Sequence, residues 1–139
     1  MLKYTAPPMD PITHTLSGAI LSRTGFYQRF GRMATIILLT AAITPDIDHF
    51  SLRLAGPLAY LKYHRGFTHS ILGGFVIAAI MTGIVCSIKR FRENMGYPTT
   101  FCLFLLGIYT HIFLDLITSY GTQILFPFND TRYSLDLVF

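Results

Sequence analysis

Apolar residues run through this chain in four blocks, not in the short alternations of a half-buried sheet. The longest clean block, Ser70 to Ile88, holds nineteen residues without a charge, close to the roughly 20 needed to cross the hydrocarbon core of a bilayer. Thr99 to Tyr120 is of similar length, but its first dozen residues are apolar and the remainder carries His111 and Asp115. It is predicted to span with its second half turned towards protein. Ile12 to Leu21 and Met33 to Thr44 are too short to cross alone, and each meets ionisable residues at one end. They read as a hairpin of partial spans, or as longer helices whose ends are shielded by the rest of the protein. Pro45, Gly56, Pro57, Gly66, Gly96 and Pro98 punctuate the chain into helices and short loops. The predicted fold is therefore all-α: one multi-pass helical membrane domain over residues 1–139, with about four membrane-embedded helices, two of them short.

Composition strengthens this picture. Of 139 residues 52% are hydrophobic and 13% charged, against roughly 25% charged in a soluble domain. The mean hydropathy is +0.49. Disorder is excluded, since it needs low hydrophobicity and high charge. A net charge of +4 is read as basic residues flanking membrane segments and not as a nucleic-acid surface. Cys86 and Cys102 lie within apolar runs without a CxxC spacing, which indicates neither a disulfide framework nor a zinc ribbon. Pro7, Pro8 and Pro11 interrupt what would have to be the apolar core of a cleavable signal peptide, so insertion is expected to rely on the internal helices.

Orientation follows from the short basic loops, which stay cytoplasmic. Arg23, Arg29 and Arg32 crowd the first loop and Lys89, Arg90 and Arg92 the third. Arg53, Lys62 and Arg65 are spread over the longer stretch between. Both chain ends and the 45–69 segment are accordingly expected outside. All five histidines, His14, His49, His64, His69 and His111, then fall on that outer side, together with Asp10, Asp46, Asp48 and Asp115. With about 1.5 Å per helical residue, His111 stands roughly 18 Å above Thr99 and Asp46 about as far above Met33, a common depth.

Local spacing points the same way. Asp10 and His14, and again His111 and Asp115, are four apart, which places an imidazole and a carboxylate on one helix face. Such a pair can be two metal ligands, or one ligand and the carboxylate that orients it. Pro45-Asp46-Ile47-Asp48-His49 clusters three ionisable groups past an apolar helix. In His64-Arg65-Gly66-Phe67-Thr68-His69-Ser70 two histidines bracket a glycine turn, with Thr68 as the expected cap of the next helix. Ionisable residues at membrane depth are costly and concentrate in functional cavities, so their convergence favours a metal site over packing. Imidazole nitrogen and carboxylate oxygen without thiolate suit zinc first, with manganese or iron as alternatives. The number of candidate ligands would allow two ions, an arrangement suited to phosphoester displacement. There is no HExxH, no GxSxG and no P-loop.

Met9-Asp10-Pro11-Ile12-Thr13-His14-Thr15, Pro45 to His49, His64 to Ser70, and His111 to Thr122 together resemble the YdjM-like family of membrane-bound metal-dependent hydrolases, named for a LexA-regulated bacterial protein. The resemblance covers Met9 to Phe139. It implies a multi-pass protein of the bacterial inner membrane, a hydrolase activity akin to that of zinc-dependent phospholipase C, and His14, Asp46, Asp48, His64, His69, His111 and Asp115 as site residues. Relatives begin near Met9 and continue past Arg132-Tyr133-Ser134-Leu135-Asp136, so the domain is expected to be incomplete at its C-terminus.

The function expected on these grounds is hydrolysis of a lipid or small-molecule phosphoester at the membrane–water interface. Asp48 or Asp115 is the candidate base, and Arg65 the candidate phosphate contact. Thr118, Ser119, Tyr120 and Thr122 offer hydroxyl groups to ligands or substrate. The alternatives are a metal or proton transporter and a non-catalytic membrane protein with a closed structural metal. Membrane lipid is the expected partner.

Overall fold

The computed structural model describes residues 11–47, 66–118 and 121–137. Among them the architecture is helical, without a strand. The helices are α1 (Pro11–Leu21), the single turn α2 (Tyr27–Phe30), α3 (Arg32–Ile43), α4 (Ile71–Cys86) and α5 (Lys89–Ile117). The first loop is itself wound: a wide turn over Ser22–Phe26 leads straight into α2. Gly25 and Gly31 supply its reversals with φ of 115° and 60°, a region that favours glycine. α3 gives way to the 3-10 turn Thr44–Asp46, which contains Pro45.

Helix α5 is the centre of the bundle. It packs along α3 on one side and α4 on the other, and α1 lies mainly against α3. The core they share is Ala34, Ile37, Leu38, Ala41, Ala78, Leu103, Phe104, Ile108 and Ile112, closed at one end by Met95. Small residues set the crossings. A Cβ on Gly107 would stand 2.5 Å from Ala41 Cβ, and one on Gly18 would stand 2.7 Å from the Leu38 carbonyl oxygen. Such contacts let backbones approach where little apolar surface can be removed from water between helices.

The four expected apolar blocks all become helices, with bounds close to the sequence reading. Among the described residues only α5 is long and apolar enough to cross a membrane, and α4, at 16 residues, is a shorter apolar helix. The anticipated span from Ser70 to Ile88 is therefore trimmed at both ends. Ser70 caps α4, its Oγ accepting from Gly73 N at 2.9 Å, and Ser87 turns the chain at the far end. Thr68, the expected cap, lies two residues too early, in the turn Phe67–His69. α5 is broken at Gly96, with φ of 70°, two residues before Pro98. Lys89, Arg90 and Arg92 thus sit on a helical segment of their own, and residues 97–117 run on for about 31 Å at 1.5 Å per residue.

The C-terminal stretch folds back over the end of the bundle. Thr122 and Tyr133 exchange backbone hydrogen bonds of 2.9 Å, Ile71 N donates to the Ile124 carbonyl, and Leu135 N and Leu137 N donate to the carbonyls of Leu116 and Ile117. The last carbonyls of α5, which have no partner within the helix, are satisfied in this way.

Candidate metal centre

Four segments deliver polar side chains to this covered end. α1 begins there with His14, and α3 ends there, with Asp46 in the turn beyond it. His69 stands just before α4, and His111 and Asp115 occupy the last two turns of α5. Because successive helices run in opposite directions, residues from across the chain arrive at one level.

Side-chain atoms of Asp46, His69, His111 and Asp115 all lie within 4.8 Å of one another. The Nε2 atoms of His69 and His111 are 3.2 Å apart. Asp115 Oδ2 is 3.0 Å from His69 Nε2 and 3.3 Å from His111 Nε2, and Asp46 Oδ1 is 3.7 and 3.5 Å from the same two nitrogens. A tetrahedral ion with bonds of about 2.0–2.1 Å places neighbouring ligand atoms about 3.3–3.4 Å apart. The five separations scatter around that edge. His69 and His111 are fully buried and Asp115 is 1% exposed, while the Asp46 side chain keeps 14%. Two carboxylates brought together with Asp115 buried favour a compensating positive charge, and the donor set and its spacing are ones that could hold a divalent cation.

Both imidazoles are held from behind. His111 Nδ1 lies 2.6 Å from the Ala42 carbonyl oxygen, an acceptor only, so Nδ1 carries the proton and Nε2 presents its lone pair to the cluster. The Ala41–Gly107 contact one turn below brings that carbonyl into reach. His69 Nδ1 meets Thr68 Oγ1 at 2.9 Å. Thr68 therefore steadies a ring instead of a helix end. The turn that carries His69 is packed on Gly73, where a Cβ would run into the Phe67 carbonyl oxygen.

The profile of the YdjM inner membrane protein family matches residues 9–139. The chain belongs to the YdjM inner membrane protein family. It is also 29% identical over 137 residues to the uncharacterized protein YfhP of Bacillus subtilis, covering 94% of this chain and 41% of that protein. It spans about two fifths of the length of that curated relative. No solved structure matches.

Of the site residues anticipated from sequence in this YdjM-family chain, His69, His111, Asp46 and Asp115 come together. His14 lies beside them, its Nε2 3.3 Å from Asp115 Oδ1, outside the group of four. Asp48, His64 and Arg65, like Asp10, His49, Ser119 and Tyr120, are outside the described residues. The Thr118 hydroxyl donates to the Asp115 backbone carbonyl at 2.7 Å, and Thr122 is fully buried in the C-terminal pairing. Sequence reasoning missed the Ala42 carbonyl and the Gly107 and Gly73 contacts. A backbone acceptor leaves no mark in residue identity, although the helical glycines were visible signals of close approach.

Proposed function

We propose that this chain is a multi-pass inner-membrane, metal-dependent hydrolase whose centre is formed by Asp46, His69, His111 and Asp115, acting on a lipid phosphoester at the membrane–water interface. The observation that carries the reading is the convergence of two imidazole nitrogens and two carboxylates at ligand spacing, three of the four side chains buried. A divalent ion bound there, zinc first and manganese as the alternative, supplies Lewis-acid polarisation of a phosphoryl oxygen. The protein's own part is to hold His111 by the Ala42 carbonyl and His69 by Thr68, keep Asp115 dry, and leave the Asp46 side open to water and substrate. Asp115 and Asp48 remain the candidate bases and Arg65 the candidate phosphate contact.

Membrane embedding is supported by an inverted surface. His69, His111 and Asp115 are inside, while Ile20, Ile36, Phe75, Ile80, Ile84 and Phe113 are more than half exposed. The basic residues Arg23, Arg29, Arg32, Lys89, Arg90 and Arg92 cluster at the end away from the centre, as expected if that end faces the cytoplasm. Between the two ends the bundle is filled by Leu38, Phe104 and Ile108, and the buried hydroxyls of Thr82 and Thr100 there donate to carbonyls of their own helices. This favours hydrolysis over transport.

The test is metal stoichiometry by elemental mass spectrometry on detergent-purified protein, native and with His69→Ala or His111→Ala, followed by turnover of lipid phosphoesters. One or two equivalents of zinc or manganese, lost in both variants and required for turnover, is the expected result. A folded native chain without metal would overturn the centre. A loaded chain inert on phosphoester, ester and amide lipids would overturn hydrolysis and favour a structural ion.

A further inference from the structure

His14 is 5% exposed in the first turn of α1, and its ring stacks on that of His111 with centroids 3.9 Å apart and planes 28° from parallel. Its Nε2 lies 3.3 Å from Asp115 Oδ1. The other oxygen, Oδ2, is the one that meets His69 and His111. Asp115 thus divides its carboxylate: Oδ2 faces the four-residue cluster and Oδ1 faces α1. His14 Nδ1 is buried and makes no hydrogen bond among the described residues, so the directional contact of this ring is through Nε2.

We propose that His14 is a positioning residue for the metal centre and not one of its ligands, holding Asp115 by Oδ1 and His111 by ring stacking so that Oδ2 and His111 Nε2 stay turned to the ion. The inference rests on reading Asp46, His69, His111 and Asp115 as ligands. Two features set His14 apart from those four. An imidazole binds a metal through a lone pair in its own plane. The 5.1 Å between the His69 and His111 ring centroids suits two ligands opened around one tetrahedral ion, whereas the 3.9 Å from His14 to His111 is closer than such an opening gives. The carboxylate oxygen nearest to His14 is also the one turned away from the cluster. What His14 supplies is orientation: Asp115 sits on the same helix as His111, and a buried carboxylate gripped at one oxygen loses the rotation that would swing the other out of place. Partners of this kind, acting behind a ligand, typically change metal affinity 10–100-fold.

The experiment uses the whole chain in detergent, loaded with cobalt(II). It measures affinity by titration, bound equivalents by elemental analysis, and the number of imidazoles around cobalt by X-ray absorption. His14→Leu keeps bulk without a donor. In His14→Gln the amide N–H reaches about as far as Nε2, and His14→Asn, too short to reach Oδ1, serves as the loss variant if His14→Leu does not fold. The expected result is an unchanged equivalent and imidazole count in every variant, a 10–100-fold weaker affinity in the loss variant, and recovery of most of it in His14→Gln. Loss of an equivalent or of one imidazole would make His14 a ligand and overturn the proposal. Unchanged affinity in the loss variant would make His14 a packing residue and overturn it equally. Absence of cobalt from the native chain would remove the centre itself, and the proposal with it.

Discussion

The Nε2 atoms of His69 and His111 lie 3.2 Å apart although 42 positions separate them in the chain. Two neutral imidazoles at that distance share at most one proton, yet both also crowd the same oxygen of Asp115. The space they face is one that a cation could fill. Since Ala42 fixes the proton of His111 on Nδ1, nitrogen-15 spectra of the metal-free protein should show Nδ1 protonated, and added zinc should move the Nε2 resonance. A ring with Nε2 protonated instead would contradict the assignment.

Gly73 links helix packing to the centre. A methyl group there would run into the Phe67 carbonyl, a clash that only displacement of the Phe67–His69 turn relieves. Gly73→Ala is expected to lower stability by about 2–3 kcal/mol, in the range of an overpacked core, and to cost bound metal because His69 moves with its turn. Thermal unfolding and stoichiometry in detergent check both. Loss of stability with metal binding intact would separate the turn from the site.

At the α3–α5 crossing the prediction is compensatory. Gly107→Ala should destabilise by about 1–3 kcal/mol and weaken the hydrogen bond from His111 to Ala42. Ala41→Gly introduced alongside it removes the carbon atom in the way and should restore much of the loss. Additive effects in the double variant would show that the Ala41–Gly107 contact does not set the helix separation.

Ser70 and Thr68 are neighbours with separable roles. Ser70→Ala removes the cap of α4 and is expected to cost about 1 kcal/mol with little change in metal affinity. Thr68→Val leaves the cap intact but removes the hydroxyl beside His69 Nδ1, so affinity should fall about tenfold or more at nearly unchanged melting temperature. Equal effects of the two on both measurements would reject this division.

Orientation can be read with thiols. In a chain whose Cys86 and Cys102 are replaced by alanine, Asn94→Cys and Asn129→Cys place exposed groups before and after the spanning part of α5. In intact spheroplasts of an expressing bacterium, an impermeant thiol reagent should label position 129 and not 94. The reverse pattern would move the centre to the cytoplasmic side, and labelling of both would remove the crossing.

Much of this organisation was legible in the order of residues alone. Apolar blocks interrupted by proline and glycine already specify helices, because backbone groups in an apolar medium must bond within their own segment. The spacing of His111 and Asp115 already places them on one face, since the helical period is a local property. Ends were less legible: Ser70 and Thr68 are both competent caps, and the choice between them was made by where the Phe67–His69 turn packs on Gly73. The meeting of Asp46 and His69 with the α5 pair depends on the direction and closeness of three helices. That was decided by contacts such as Ala41 with Gly107, which join residues far apart in the chain. The same holds for His14, whose spacing equally suits a ligand and an orienting partner. Only the stacking of its ring on His111, and the side from which it approaches Asp115, distinguishes the two, because the direction of a lone pair is set by tertiary packing and not by residue type.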